Sequence, residues 1–404
     1  MDGKQRTLTA LARGIPDRVP MWDWFYEAAL LGIGQRLGLV AKSETTVLRR
    51  GDETDASIDL YASVIEALEV DASSLVYGTG FAVIDADYGR DRYDRTFLLS
   101  EHGEPAIWEG AVHSSEETRR YDLAGRIEDA DFDGVRRLIR RLPDRAHALN
   151  ITGPFAEAWM MMGSMGKLML AFVEDPGYAH AALRMVTEFS KVLIDTAADL
   201  GIDFIMVDGD PCGNDFTLMS YADFREFLYP YKKEFVDHAH GRGLKIVKHC
   251  DGNVWRLLHD FVELCFGGFH LVQPQCMDLA QVKAHLFGKI CVFSNVDCLD
   301  LLVFDTPEQV EVAAQQVIAD GAPGGGYVFA SSNSLHPGCK PENVIVMFEA
   351  GRRYGDYAGI APRPRAVALP PDTTPVRQRR QTSRRQRADH GEPAAAGSPT
   401  LMES

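Results

Sequence analysis

The stretch "LKIVKHCDG" (residues 244–252) decides how the rest of the chain is read. Its first half is apolar and β-branched, as in a strand buried on both faces. Its second half sets His249, Cys250 and Asp251 before Gly252. Such an ending is either a polar turn or part of an active site at the mouth of a barrel. In extended backbone, residues i and i+2 project to the same side. His249 and Asp251 therefore aim at one point, and Cys250 aims elsewhere.

Working outward, similar runs recur in both directions. The expected strands are 18–24, 72–79, 147–154, 203–210, 244–252, 268–275, 289–297 and 325–333. Helical patterns separate most of them. One spans 175–201 and stops at Gly201; another spans 220–243 and contains Pro230, which predicts a break or kink. "TPEQVEVAAQQVIADG" opens with a Thr cap and a first-turn proline. Strand–helix alternation implies parallel strands. Eight of them predict a (β/α)8 TIM barrel. A doubly wound sheet would show a glycine-rich turn after its first strand, and "RVPMWDWFYEAAL" has none. Between residues 80 and 115 the pattern alternates instead, with turns expected at Tyr88-Gly89 and His102-Gly103. This predicts a β-hairpin or small sheet inserted after the second strand.

Composition narrows the class. The 404 residues are 46% hydrophobic and 25% charged, as in ordinary globular proteins. No apolar run reaches the roughly 20 residues of a membrane span, and the N-terminus lacks a signal peptide's long apolar core. The expected address is cytoplasmic. Seven dispersed cysteines without a CxxC pair argue against a disulfide framework and a zinc ribbon. A net charge of −16 argues against nucleic acid as a partner. The expected domains are a catalytic barrel, 1–358, and a disordered basic tail, 359–404. That tail holds eight arginines against four acidic residues and is nearly free of aromatics.

Chemistry in such a barrel sits at the C-terminal strand ends. The fourth strand ends in Asp208 and Asp210, the fifth in His249 and Asp251. The sixth contributes Gln273, with His270 earlier and read as core or supporting, and the seventh Asn295 and Asp297. The eighth gives Ser331, Ser332, Asn333 and Ser334, then His336. Each admits a bland reading: caps for the aspartates, a hydrogen-bonded core residue for a lone histidine. The His249/Asp251 pair could hold a metal or orient a substrate group, and imidazole with carboxylate suits zinc. "GAPGGGYVFASSN" puts its glycines before the strand, the wrong end for a phosphate cradle.

Several blocks occur together in order: "RTLTALARGIPDRVPMWDW", "ITGPFAEAW", "LAFVEDPGYAHAAL", "KHCDGNVWRLL", "SNVDCLDLL" with "FDTPEQVEVAAQQVI", and "GGGYVFASSNSLHPGCKPENVIVMFEA". Together they resemble the uroporphyrinogen decarboxylase superfamily over roughly residues 5–356, and that superfamily implies a (β/α)8 barrel. One branch decarboxylates the acetate arms of uroporphyrinogen and carries an arginine-rich "RQAGRY" segment. The matching region here, "VPMWDWFYEAALLG", has no arginine. The other branch transfers methyl groups to or from a corrinoid protein and binds zinc through a His-x-Cys pair and a later cysteine. Here Asp251 stands at the first cysteine position, and Asn333 or Ser334 near the second.

The resemblance therefore implies a cobalamin (corrinoid)-dependent methyltransferase or demethylase-like enzyme, with a small methylated substrate and a corrinoid protein as partner. Self-association into a homodimer is left open, and no nucleic acid or membrane is expected. In that reading His249, Asp251 and His336 hold zinc or polarise the donor, with Cys339 as another substitute. Asp210 joins the catalytic set, and Asp208, Gln273, Asn295 and Asn333 orient the substrate. The alternatives are a decarboxylase of uroporphyrinogen or a related acid, without cofactor, and a non-catalytic barrel that binds a corrinoid or other ligand.

Overall fold

The structure, a computed structural model, describes residues 1–41, 55–78, 80–99, 105–209, 211–215 and 217–370. Seven strands form one parallel sheet: β1 (Ala72–Val76), β6 (Ala146–Ile151), β7 (Phe204–Val207), β8 (Lys245–His249), β9 (Gly268–His270), β10 (Cys291–Val296) and β11 (Tyr327–Ser331), neighbours in that order. A second, antiparallel sheet follows β1 and contains β2 (Phe81–Val83), β3 (Tyr88–Asp91), β4 (Thr96–Leu98) and β5 (Ala106–Glu109). The fold class is α/β.

The first expected strand does not join a ladder. Residues 19–24 run extended and make isolated pairings. The reason lies in its partners. On one side Trp22 N–H donates to Phe329 O (3.1 Å) and Phe329 N–H to Pro20 O (2.8 Å), where proline has no N–H to return. On the other, Asp71 N–H donates to Met21 O (2.8 Å), and Met21 N–H is taken by the Asp71 carboxylate (2.8 Å) rather than by a strand carbonyl. The turn expected at Tyr88-Gly89 also moves. Both residues lie inside β3, and the chain turns earlier, where Asp85 Oδ1 accepts from Asp87 N–H and Tyr88 N–H, each at 2.9 Å. The expected turn at His102-Gly103 lies outside the described residues.

Pro230 does not break its helix. A π turn, Phe224–Leu228, precedes it, and Tyr229 N–H reaches back to Phe224 O. The wider turn accommodates the missing proline donor, and the helix continues over Tyr229–Gly241. The helices at Pro176–Leu200 and Pro307–Gly321 end and begin as their signals predict. Gly201 takes a left-handed cap, and Thr306 with Gln309 forms a capping box.

The sheet separates two cores. The outer one fills the space beneath the helices. The inner one joins Trp22, Ala72, Ala148, Phe204, Met206, Val247, Phe293, Val328 and Ala330 with Ala10 and Leu11, from the N-terminal helix Gly3–Leu11. Beneath that helix Arg6 bridges Asp17 (2.7 Å) and Asp71 (2.6 Å), and Arg18 also pairs with Asp71 (2.7 Å). No described helix is long and apolar enough to cross a membrane. The expected tail boundary at Gly359 falls short of the ordered contacts. Ala361 O accepts from Gly324 N–H (3.2 Å), Arg365 pairs with Asp320 (3.0 Å), and Ala368 O accepts from Gln281 (2.8 Å). Residues 371–404, the remainder of that tail, lie outside the described residues.

Candidate functional site

The inner face carries a change of chemistry at a fixed spacing. One layer consists of Trp22, Ala72, Ala148, Met206, Val247, Phe293 and Ala330, all in the inner core, and of Gly268 on β9. A Cβ at Gly268 would meet Val247 (2.8 Å) and Phe293 (3.1 Å), which is why glycine stands there. Two residues further toward the C-terminal ends, the same eight segments carry Trp24, Ser74, Asn150, Asp208, His249, His270, Asn295 and Ser332. An apolar plug thus gives way to a polar layer in one strand period. Residues that lie between or just beyond these positions, such as Leu149, Ile151, Val207, Cys250 and Val296, belong to the outer core.

His249 lies at the centre of this layer. Its Nδ1 is 2.8 Å from His270 Nδ1, so one of the two carries the shared proton. The Trp24 ring meets it edge-on at 5.6 Å, and Trp22 meets His270 at 5.0 Å. Burial, reinforced by the Lys248 ammonium, pulls His249 down to about 3, so it is neutral at physiological pH. Lys248 itself is fully buried and donates to the carbonyls of Gly209 (2.9 Å) and His249. His249 Nε2 faces Asp251 Oδ1 at 3.9 Å. Asp251 Oδ1 accepts from Asn333 Nδ2 at 2.8 Å, and Asn333 Oδ1 accepts from Ser334 Oγ at 3.2 Å.

The loops that carry these groups are tied together. Gln273 Oε1 accepts from Gly252 N–H (3.1 Å), which binds the turn after β8 to the one after β9. Gly252 has φ +79°, and a Cβ there would lie 2.4 Å from Gly213 O. Asp208 Oδ1 accepts from Gly153 N–H (3.1 Å). Asp297 Oδ1 accepts from Leu299 N–H (2.8 Å), the bland capping role. Asp210 lies outside the described residues.

The structure does not bring His336 to His249 and Asp251. Its Nε2 is 2.9 Å from Cys298 O, which can only accept, and its Nδ1 accepts from Gly338 N–H at 3.1 Å. Both ring nitrogens are thus held by backbone, with the proton on Nε2. Cys339 is buried and points its thiol at the same Cys298 carbonyl (3.6 Å).

Residues 39–354 match the Uroporphyrinogen decarboxylase (URO-D) family. The chain belongs to that family. Curated relatives named uroporphyrinogen decarboxylase include one from Thioalkalivibrio sulfidiphilus, 25% identical over 235 residues, covering 55% of this chain and 64% of the relative. Another, from Coxiella burnetii, is 23% identical over 255 residues, covering 60% and 68%. The chain thus spans about two thirds of the length of these relatives. Among solved structures, a methyltransferase from Methanosarcina mazei superposes with a TM-score of 0.69 at 18% identity, covering 88% of this chain and 99% of that one. At that identity the likeness is one of fold.

A protein zinc site needs three or four donors converging on one tetrahedral centre. Here Asp251 Oδ1 is bonded to Asn333, His336 is turned away, and the described residues hold no group of three His, Cys, Asp or Glu close enough for a metal. The described donors therefore do not fit zinc. Two residues that stand at or near the thiolate positions of the zinc-binding branch of the URO-D superfamily meet each other instead, as a carboxylate–carboxamide pair.

Sequence reasoning passed over Asp23. It is fully buried on the outer side, where its carboxylate accepts from Ser331 N–H (2.8 Å), Ser331 Oγ (2.8 Å) and Trp24 N–H (2.9 Å). Burial raises it to about 7 against those three donors. It fixes the segment bearing Trp24 to the strand leading into Asn333. The signal was a lone charge inside the apolar run "VPMWDW". Trp24, Ser74 and Asn150 were missed because the ends of the first three strands carry no ionisable pair.

Proposed function

We propose that this URO-D family member is a corrinoid-dependent methyltransferase that moves a methyl group from a small donor to the corrinoid of a partner protein. The reading takes residues 19–24 as the eighth stave of a (β/α)8 barrel, with the polar layer at its mouth. One observation carries it. The eight positions of that layer contain no arginine or lysine, and the side chain facing His249 Nε2 is that of Asp251. A substrate with eight carboxylates needs cationic partners, so decarboxylation of uroporphyrinogen fits this mouth poorly. The name of the Methanosarcina relative in fold agrees with the reading. The names of the curated relatives favour the decarboxylase as the second reading.

In this reading Trp24, Asn295 and Asn333 position the donor, His249 packs against it as a neutral imidazole, and Asp251 sets the local charge. The corrinoid would supply the methyl-accepting centre. The test incubates the full chain with chemically reduced cobalamin and a panel of methylated donors, and follows the absorbance of the methylated corrinoid. Turnover lost in His249→Ala is expected. No methylation with any donor, together with carboxyl loss from uroporphyrinogen, would replace this reading with the second.

A further inference from the structure

Deepening the reading of the mouth given above, we propose that Asp23 is a positioning residue: its ionised carboxylate clamps Trp24 and Asn333 in the arrangement that binds the methyl donor, and the proton it takes up in acid releases the Trp24 side. The proposal rests on the methyl-transfer reading only for the identity of what is bound.

The clamp joins two segments 308 residues apart. Asp23 is fully buried, and three donors meet its carboxylate. Oδ2 accepts from Ser331 N–H (2.8 Å), and Oδ1 accepts from Ser331 Oγ (2.8 Å) and Trp24 N–H (2.9 Å). A little further along, the same segments are joined again. Leu335 N–H donates to Trp24 O (2.8 Å), and Tyr26 N–H donates to Leu335 O (3.0 Å). Trp24 is thus held through both its N–H and its C=O. Asn333 lies between the two anchor points, Ser331 and Leu335. Both clamped residues reach the site: the Trp24 ring meets His249 edge-on at 5.6 Å, and Asn333 Nδ2 donates to Asp251 Oδ1 at 2.8 Å. Asp23 lies on the outer side and acts only through them.

A carboxylate suits these donors. Backbone N–H groups meet both of its oxygens, so an asparagine would turn its own N–H against one of them. Holding the charge there is costly, since burial raises Asp23 to about 7 even against three donors. A buried charge kept at such a cost beside a binding site points to a task in that site.

The geometry also decides which contact a proton breaks. Of the three donors, only the Ser331 hydroxyl can turn round and accept. A proton from solvent therefore settles on Oδ1 and bonds to Ser331 Oγ, while Oδ2 still accepts from Ser331 N–H. Trp24 N–H is left facing a protonated oxygen. The end of β11 stays in place and the Trp24 side loosens. The titratable groups facing Asp23 are Tyr61, from the helix Asp55–Ala67, Cys298, after β10, and Cys339, before the helix Pro341–Tyr354. Burial raises them to about 12, about 11 and about 12, so they keep one state around neutrality.

The test follows Trp24 in the full chain labelled with 5-fluorotryptophan, its fluorine resonance assigned by its loss in Trp24→Phe. Between pH 6 and 8 that resonance should shift with a midpoint near 7, and it should stay still in Asp23→Asn. Ser331→Ala removes one donor to the ionised form, so its midpoint should move to higher pH. A Trp24 resonance that is flat with pH, or that shifts alike in Asp23→Asn, overturns the proposal. If Asp23→Asn does not fold, an unmoved midpoint in Ser331→Ala overturns it equally. Kinetics with reduced cobalamin and an active methylated donor separate the clamp from the reading beneath. Asp23 is about nine-tenths ionised at pH 8 and about one-tenth at pH 6, so KM should rise several-fold, up to about ninefold, at pH 6. The value of kcat should change far less, and Asp23→Asn should show the high KM at both pH values. Methylation with a KM indifferent to pH and to Asp23→Asn sinks the clamp and leaves methyl transfer standing. The Trp24 transition without methylation by any donor leaves the clamp standing and sinks methyl transfer.

Discussion

Arg95 offers the sharpest quantitative test of how the inserted sheet is held. Its guanidinium joins Asp91 Oδ2 (2.6 Å) to Glu157 Oε1 (2.7 Å), and so ties the insertion to the helix Pro154–Met162 that follows β6. The three side chains are 10%, 2% and 6% exposed, so water does little to screen them. Arg95→Met keeps much of the volume and leaves two carboxylates buried without their cation. Breaking such a pair from one side costs about 3–5 kcal/mol. For a domain of this size that lowers Tm by roughly 4–7 °C.

The pH dependence follows from Glu157. Burial raises its pKa even with Arg95 beside it, and without Arg95 it must rise further. A raised carboxyl pKa means the folded state binds more protons than the unfolded one, so stability falls as pH climbs through the folded value. The deficit of Arg95→Met should therefore be largest near pH 8 and smaller by at least about 1 kcal/mol at pH 5.5. Adding Glu157→Gln to Arg95→Met should recover part of the loss at pH 8. Urea denaturation at the two pH values measures all of this. A deficit under about 1 kcal/mol, or one that is the same at both pH values, refutes the reasoning.

Other predictions concern the site itself. Asp23 at about 7 makes wild-type stability fall as pH rises between roughly 4 and 7, with a ceiling near 4 kcal/mol; Asp23→Asn should flatten that slope, and an unchanged slope counts against the assignment. His249, pulled to about 3, should show flat ring nitrogen shifts by NMR from pH 5 to 8, and a midpoint near 6.5 would show that its surroundings are wetter than described. Gly252→Ala must hold a left-handed backbone and push Gly213 aside, at a cost of roughly 2 kcal/mol or more; a loss below about 0.5 kcal/mol in denaturant melts would mean the two loops move apart freely.

The sequence by itself determined the periodic part of this protein. Seven of the eight expected strands appear because β-branched runs between helical repeats have few other ways to bury themselves. The i, i+2 rule directs His249 and Asp251 toward each other and sends Cys250 into the outer core, since that rule is a property of extended backbone alone. Tertiary structure decided everything that depends on which loop reaches which. His336 looked like a ligand from its place after the eighth strand, and only the approach of the Cys298 loop shows both its nitrogens bonded to backbone. Asn333 and Asp251 are 82 positions apart, and nothing local announces their hydrogen bond. Asp23 became visible when Ser331, 308 residues away, was seen to donate to it twice. Local spacing fixes where a side chain points. Whether it meets a metal, a carbonyl or a substrate depends on contacts between segments distant in the chain.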